Sequence, residues 1–202
     1  MHKPAVTSVP IHEPLARRWS PVGYDPRPMS DEEVSAVLEA ARWAASGFNK
    51  QPWRFLAARR QDGPAFAALL DCLVDANRDW AQHASLLLLA LAERLDARGN
   101  PNPKAPLELG LALGNLTAEA AARGLWVHAM GGILPDEARA RFRIPDDVEV
   151  WVALAVGHQA DDAAKADAHR ERDAAPRTRL PLSELVFQGT YGEPAPWLED
   201  NA

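Results

Sequence analysis

Seven consecutive apolar residues, Leu86–Ala92, constrain this chain more than any other stretch. A strand of that composition has no polar face to turn to water, so both of its sides must be covered. The strand around this run is expected over 85–92; residues 148–156 (VEVWVALAV) read as another buried strand, and 53–59 as a further strand. Helical patterns separate the strands without regular βαβ alternation. That pattern predicts an α+β sandwich, with a central mixed or antiparallel sheet flanked by helices.

The first long helix announces itself at Ser30. With Glu33 three residues later it forms a capping box, and Val34, Val37, Leu38 and Ala41 follow at helical spacing. A helix over 31–45 follows, and another is expected over about 64–80. Residues 106–124 open on a proline and end near Gly124. The first half of that helix is apolar almost all round, so it should be buried on more than one side. In a chain this short, a partner subunit is a natural source of the second surface. Residues 96–106 read as a mobile Gly/Pro/Asn loop. Residues 161–175 are charged and alanine-rich, giving a short solvated helix or a flexible connector. Pro176 and Pro181 hold the following segment out of helix.

The chain has 202 residues, which predicts one domain over 1–202 with tails at 1–14 and 192–202. A net charge of -6 implies no basic face and argues against nucleic-acid binding. Cys72 is the only cysteine and sits among Leu69, Leu70, Leu73 and Val74, so it reads as a packed thiol. The N-terminus lacks an apolar core of signal-peptide length, and Leu86–Ala92 is far short of a membrane span. A cytoplasmic protein is expected. Dinucleotide-binding and phosphate-loop glycine motifs are absent, as is a hydrolase nucleophile elbow. The six histidines lack metal-ligand spacing, so no metal is expected.

Three groups of residues carry possible chemistry. Residues 45–55 read ASGFNKQPWRF: a small-residue turn with two amide side chains, Asn49 and Gln51, ahead of a strand. Amides that donate and accept suit a planar heterocycle, and Gly47 lets backbone approach it closely. Arg18 and Ser20 stand two apart, as do Arg177 and Arg179. In extended chain such pairs point to one side, and converging guanidinium groups would match a phosphate.

In order and composition, ASGFNKQPWRF resembles the signature of the FMN-dependent nitroreductase family, small-Ser-x-x-Asn-x-Gln-Pro-Trp-x-Phe. RWS at 18–20 and RTRLP at 177–181 resemble the family's Arg-x-Ser and basic-x-Arg elements, and the likeness runs over about 17–190. It implies that Arg18, Trp19, Ser20, Arg177 and Arg179 bind the FMN phosphate. Ser46, Asn49 and Gln51 would line the flavin ring, with backbone contacts from Ala45 and Gly47. Asn77 would face the pyrimidine edge, and Met130, Gly131 and Gly132 would approach the reactive edge. Val22 and Gly131 stand where many members carry a basic and an acidic residue, and the 96–106 loop is short where well-known members insert helices.

The resemblance further implies NADH or NADPH as electron donor and a nitroaromatic, quinone or related small molecule as acceptor, in a ping-pong scheme with no catalytic side chain. It implies a homodimer with an exchanged C-terminal arm, each FMN bridging two chains. Two alternatives stay open: a flavin-binding protein without turnover, and a related flavin enzyme acting as dehalogenase, flavin reductase or oxidase.

Overall fold

The computed structural model describes residues 3–162 and 165–198. The ends of both expected tails, and two residues of the 161–175 segment, lie outside these. Five strands form one sheet: β1 (Tyr24–Asp25), β2 (Trp53–Arg59), β3 (Leu86–Glu93), β4 (Trp126–Met130) and β5 (Val148–Gln159). Every pairing between them is antiparallel. β3 lies between β2 and β5. The far edge of β5 is shared, with β4 on Ala153–Gly157 and β1 on His158–Gln159.

The apolar run behaves as its composition requires. Leu87, Leu89 and Leu91 enter one core, with Trp19, Phe66, Trp80 and Ala138. Leu86, Leu88 and Ala90 enter a second core on the opposite face, with Val37, Leu109 and Leu116. Each buried leucine contributes about 1.5–3 kcal/mol, so β3 anchors both layers at once. α2 (Asp31–Arg42) and α5 (Ala105–Ala122) cover the second face. α3 (Pro64–Leu70), α4 (Asp75–Ala81) and α6 (Pro135–Phe142) lie on the first.

The Ser30–Glu33 capping box is present in both directions: Glu33 N–H donates to Ser30 Oγ, and Ser30 N–H to Glu33 Oε2. The helix it opens stops at Arg42, earlier than expected, because the chain must extend at Ser46 to enter the amide-rich turn. The helix expected over 64–80 is broken at 71–74. There Leu73 forms a β-bridge with Ile133, and Val74 N–H donates to Gly132 O. Segment 161–175 contains α7 (Asp167–Ala174), which is not simply solvated, since Asp173 is 1% exposed. Cys72 is buried, and burial pushes its thiol up.

α5 buries Leu109, Ala112, Leu116 and Ala120 and leaves Leu107 and Leu111 exposed. Beyond Pro181 the arm makes a short 3-10 turn at Leu182–Glu184 and a bridge between Phe187 and Pro194. Its Leu180, Leu182, Leu185, Tyr191 and Trp197 are exposed. Among the described residues no helix is long and apolar enough to cross a membrane.

Candidate functional site

The amide-rich turn is a strained element. Phe48, Asn49 and Gln51 hold φ of 53°, 55° and 48°, a left-handed conformation that non-glycine residues adopt at a cost. Gln51 N–H donates to Ser46 Oγ at 3.1 Å, and Gln51 Nε2 donates to Asn49 O at 3.1 Å. Gly47 N–H donates to Glu108 Oε1 at 2.7 Å. Glu108 is a buried carboxylate on α5, and its other oxygen is buried with no hydrogen-bond partner among the described residues. Ala45 is exposed, and the Asn49 side chain makes no hydrogen bond among the described residues. The Phe48 ring is 100% exposed.

The arginines converge. Burial first, then Arg179, lowers the pKa of Arg18; burial, then Arg18 and Arg179, lowers that of Arg177. Yet the three are not equivalent. Arg177 spends its guanidinium on backbone, donating from Nη1 to Lys3 O and Ala16 O and from Nη2 to Arg18 O, each at 2.8 Å. Arg179 is exposed and, among the described residues, donates only to Thr178 O, its own neighbour. The half-buried Arg18 guanidinium has no hydrogen-bond or ion-pair partner among the described residues. A half-desolvated cation beside other cations, with no counter-ion among the described residues, can take an anion.

Ser20 is exposed beside Arg18. Trp19 points the other way, into the core, edge-on to Trp126 with ring centroids 5.6 Å apart and with the Lys3 ammonium 4.2 Å over its own ring. Its side chain is therefore structural, and only its backbone faces the arginines. Trp80 is fully buried, its ring against those of Tyr24 and His128.

The third group is also brought together. Asn77 Nδ2 donates to Gly132 O at 3.0 Å. A side chain at Gly132 would strike Asn77 Nδ2 at 2.6 Å and Val74 Cγ2 at 2.7 Å, so only glycine permits this approach. Met130 is buried, whereas Gly131 is exposed, with open space where a Cβ would be. Trp126, against which Trp19 packs, lies four residues from Met130 on β4, about 13 Å. The arginine cluster and Asn77–Gly132 thus sit one short strand apart.

The turn lies away from the arginine cluster. It enters β2 at Trp53, in register with Ala92 and then Glu149 on β5, whereas the Arg18 element enters β1 at Tyr24, in register with Gln159. Ten residues of β5 separate these ends, roughly 33 Å. α5 gives a second measure: Glu108 holds the turn, while a Cβ at Gly124, just past the helix C-terminus, would lie 3.7 Å from Arg17 Nη2. Sixteen residues at helical rise span about 24 Å. The turn and the arginine cluster thus lie well apart on one chain.

Sequence reasoning missed three residues around these parts. Glu108 left one signal, being the only charge in the apolar stretch 105–118. Asp173, hidden in an alanine-rich charged run, left none. His128 sets its Nδ1 2.8 Å from Pro21 O, next to Ser20, and burial lowers its pKa.

Comparison with known proteins follows the same lines. A solved oxidoreductase containing FMN superposes with a TM-score of 0.87 at 31% identity, covering 93% of this chain and 96% of its own. A protein from Desulfovibrio desulfuricans, solved in complex with FMN, gives 0.69 at 25% identity, over 92% of this chain and 99% of that one. An uncharacterized 15.4 kDa protein of Mycolicibacterium smegmatis is 35% identical over 147 residues, 70% of this chain and 99% of the relative. The major NAD(P)H-flavin oxidoreductase of Aliivibrio fischeri is 42% identical over a shorter 48 residues, 23% of this chain and 22% of its own. The model of the nitroreductase family matches residues 15–158, from just ahead of Arg18 to the end of the sheet, and the chain belongs to that family.

Proposed function

We propose that this chain, as a single domain, is a cytoplasmic FMN-dependent oxidoreductase that uses NADH or NADPH to reduce nitroaromatic, quinone or related electron-poor acceptors. The observation that carries the cofactor is Arg18: a half-buried guanidinium without a partner, beside Arg179, fits a phosphate. Arg18, Ser20 and Arg179 would hold that phosphate, while Arg177 fixes the backbone around it. Asn77 and the backbone of Gly131 and Gly132 would hold the ring, since the open space at Gly131 lets its N–H come close. Ser46, Asn49 and Gln51 would line the ring from the turn. The FMN-containing relatives and the NAD(P)H-flavin oxidoreductase point the same way.

The chemistry the bound cofactor supplies is hydride transfer, with donor and acceptor taking turns at one site in a ping-pong scheme. The residues named position and polarise; none acts as nucleophile, acid or base. The purified protein should be yellow and bleach with NAD(P)H, and should consume NAD(P)H steadily with a nitroaromatic or quinone. A colourless protein that takes up no FMN would refute the reading. A flavin that bleaches without turnover on any acceptor would favour a flavin-binding role.

We further propose a homodimer in which the turn of one protomer completes the arginine site of its partner. Two measures favour it: the turn and the arginine cluster lie at opposite ends of both β5 and α5. The exposed Leu107 and Leu111 on α5, with open space at Gly110 and Gly114, suit close helix packing between copies. The exposed apolar arm after Pro181 suits exchange across the partner. Sedimentation at micromolar concentration should show a dimer; a 22.1 kDa monomer holding FMN stoichiometrically would overturn it.

A further inference from the structure

The two arms that bring the arginines together carry like charges, and like charges do not converge unless something holds them. Burial and then Arg179 lower the pKa of Arg18, burial and then Arg18 and Arg179 lower that of Arg177, and Lys3 and Lys165 add positive charge nearby. The buried carboxylate among them is Asp173, at 1% exposure near the end of α7. It grips the first arm through backbone: Val22 N–H donates to Oδ1 at 2.9 Å and Gly23 N–H to Oδ2 at 3.3 Å. These amides lie two and three residues past Ser20. Lys165 Nζ stands 3.0 Å from Oδ2, its side chain fully buried. Gly23 lies directly on the Lys165 stem; a Cβ there would meet Lys165 Cε at 2.5 Å.

Four residues after Asp173 the same chain delivers Arg177, then Arg179. Its exit is held as well. Lys3 Nζ donates to the carbonyls of Asp173 and Ala175, and Lys3 O accepts from Arg177. Asp173 therefore joins the Arg18–Ser20 arm to the Arg177–Arg179 arm. Among the described residues its carboxylate bonds neither the Arg18 nor the Arg179 guanidinium.

We propose that Asp173 is a positioning residue for the phosphate end of the cofactor site. Paired with Lys165, it fixes the spacing between the two arginine arms. This rests on the FMN reading above and assigns the residue that makes the phosphate subsite rigid. Riboflavin lacks the phosphate and serves as the internal control, because a purely structural role for Asp173 would weaken both ligands alike.

The test titrates full-length apoprotein with FMN and with riboflavin by flavin fluorescence. Wild type should bind FMN far more tightly. Asp173→Ala should raise the Kd for FMN by about tenfold, the worth of one charge-assisted hydrogen bond made imperfect, and leave that for riboflavin nearly unchanged. Asp173→Asn, which keeps one acceptor, should fall between. Asp173→Ala leaves the buried Lys165 ammonium to Asp162, 2.9 Å away, and can fail to fold for that reason alone. The Asp173→Ala/Lys165→Met double variant removes both charges and should show the same narrowed FMN-to-riboflavin ratio. A ratio unchanged in the folded variants, or equal loss of both ligands, overturns the proposal and leaves the FMN reading intact. A wild type without preference for FMN overturns the phosphate reading itself.

Discussion

Glu108 Oε1 accepts the Gly47 amide at 2.7 Å, and through this bond the buried face of α5 holds the strained turn ahead of β2. Glu108→Ala should lower stability by about 1.5–3 kcal/mol, the range for a hydrogen bond to a charged group. Glu108→Gln, which keeps an acceptor, should recover most of it. Urea unfolding of the three proteins measures the difference, and an alanine variant as stable as wild type would show that the turn stands without this anchor.

Phe48 combines a left-handed backbone with a ring that packs on nothing among the described residues. Left-handed geometry costs a non-glycine residue about 1–2 kcal/mol. Phe48→Asn, a residue that tolerates this region, should therefore raise the thermal midpoint of protein diluted to monomer by a few degrees. A fall would mean that the ring packs against something in solution.

Arg177 and Arg179 should separate cleanly. Arg179→Ala removes a free cation, so FMN affinity should drop by about 1.5–3 kcal/mol with the apoprotein's thermal midpoint unchanged. Arg177→Ala removes three bonds to backbone carbonyls, so the apoprotein itself should melt earlier. Calorimetry and flavin titration on both variants decide it; identical behaviour would make the two arginines equivalent ligands.

The features legible in the sequence are those whose physics is local. Ser30 and Glu33 lie one turn apart and settle a helix start between themselves. The period of Leu86–Ala92 needs no partner to demand two cores. What escaped depends on residues far apart in the chain. The helical pattern over 64–80 is real, but Ile133 and Gly132 break it by claiming Leu73 and Val74 across some sixty residues. Arg177 carries the same charge as Arg179, and only the carbonyls of Lys3, Ala16 and Arg18 turn it into a clamp. Asp173 is acidic in a run of acidic and basic neighbours, so nothing marked it as buried.

Acid should weaken the fold in a definite window. Burial lowers the pKa of His83, His128 and His158. Unfolded imidazoles titrate near 6.5, so as pH falls the unfolded chain takes up protons before the folded one does. Stability is then complete above about pH 6.5 and is lost as the pH drops through that value toward the folded pKa. Thermal midpoints should decline from about pH 7.5 to 5.5, and His128→Gln should flatten the decline. An unchanged slope would assign the loss to the other two histidines.

Because the turn and the arginine cluster sit at opposite ends of α5, the proposed dimer divides each site between two genes' worth of protein. A chain crippled at Asn49 and a chain crippled at Arg179 would each form dimers with two dead sites. Mixed, they would form a heterodimer in which both lesions fall on one site and the other is wild type throughout. Two inactive mutants should thus restore activity when refolded together, up to one working site in four.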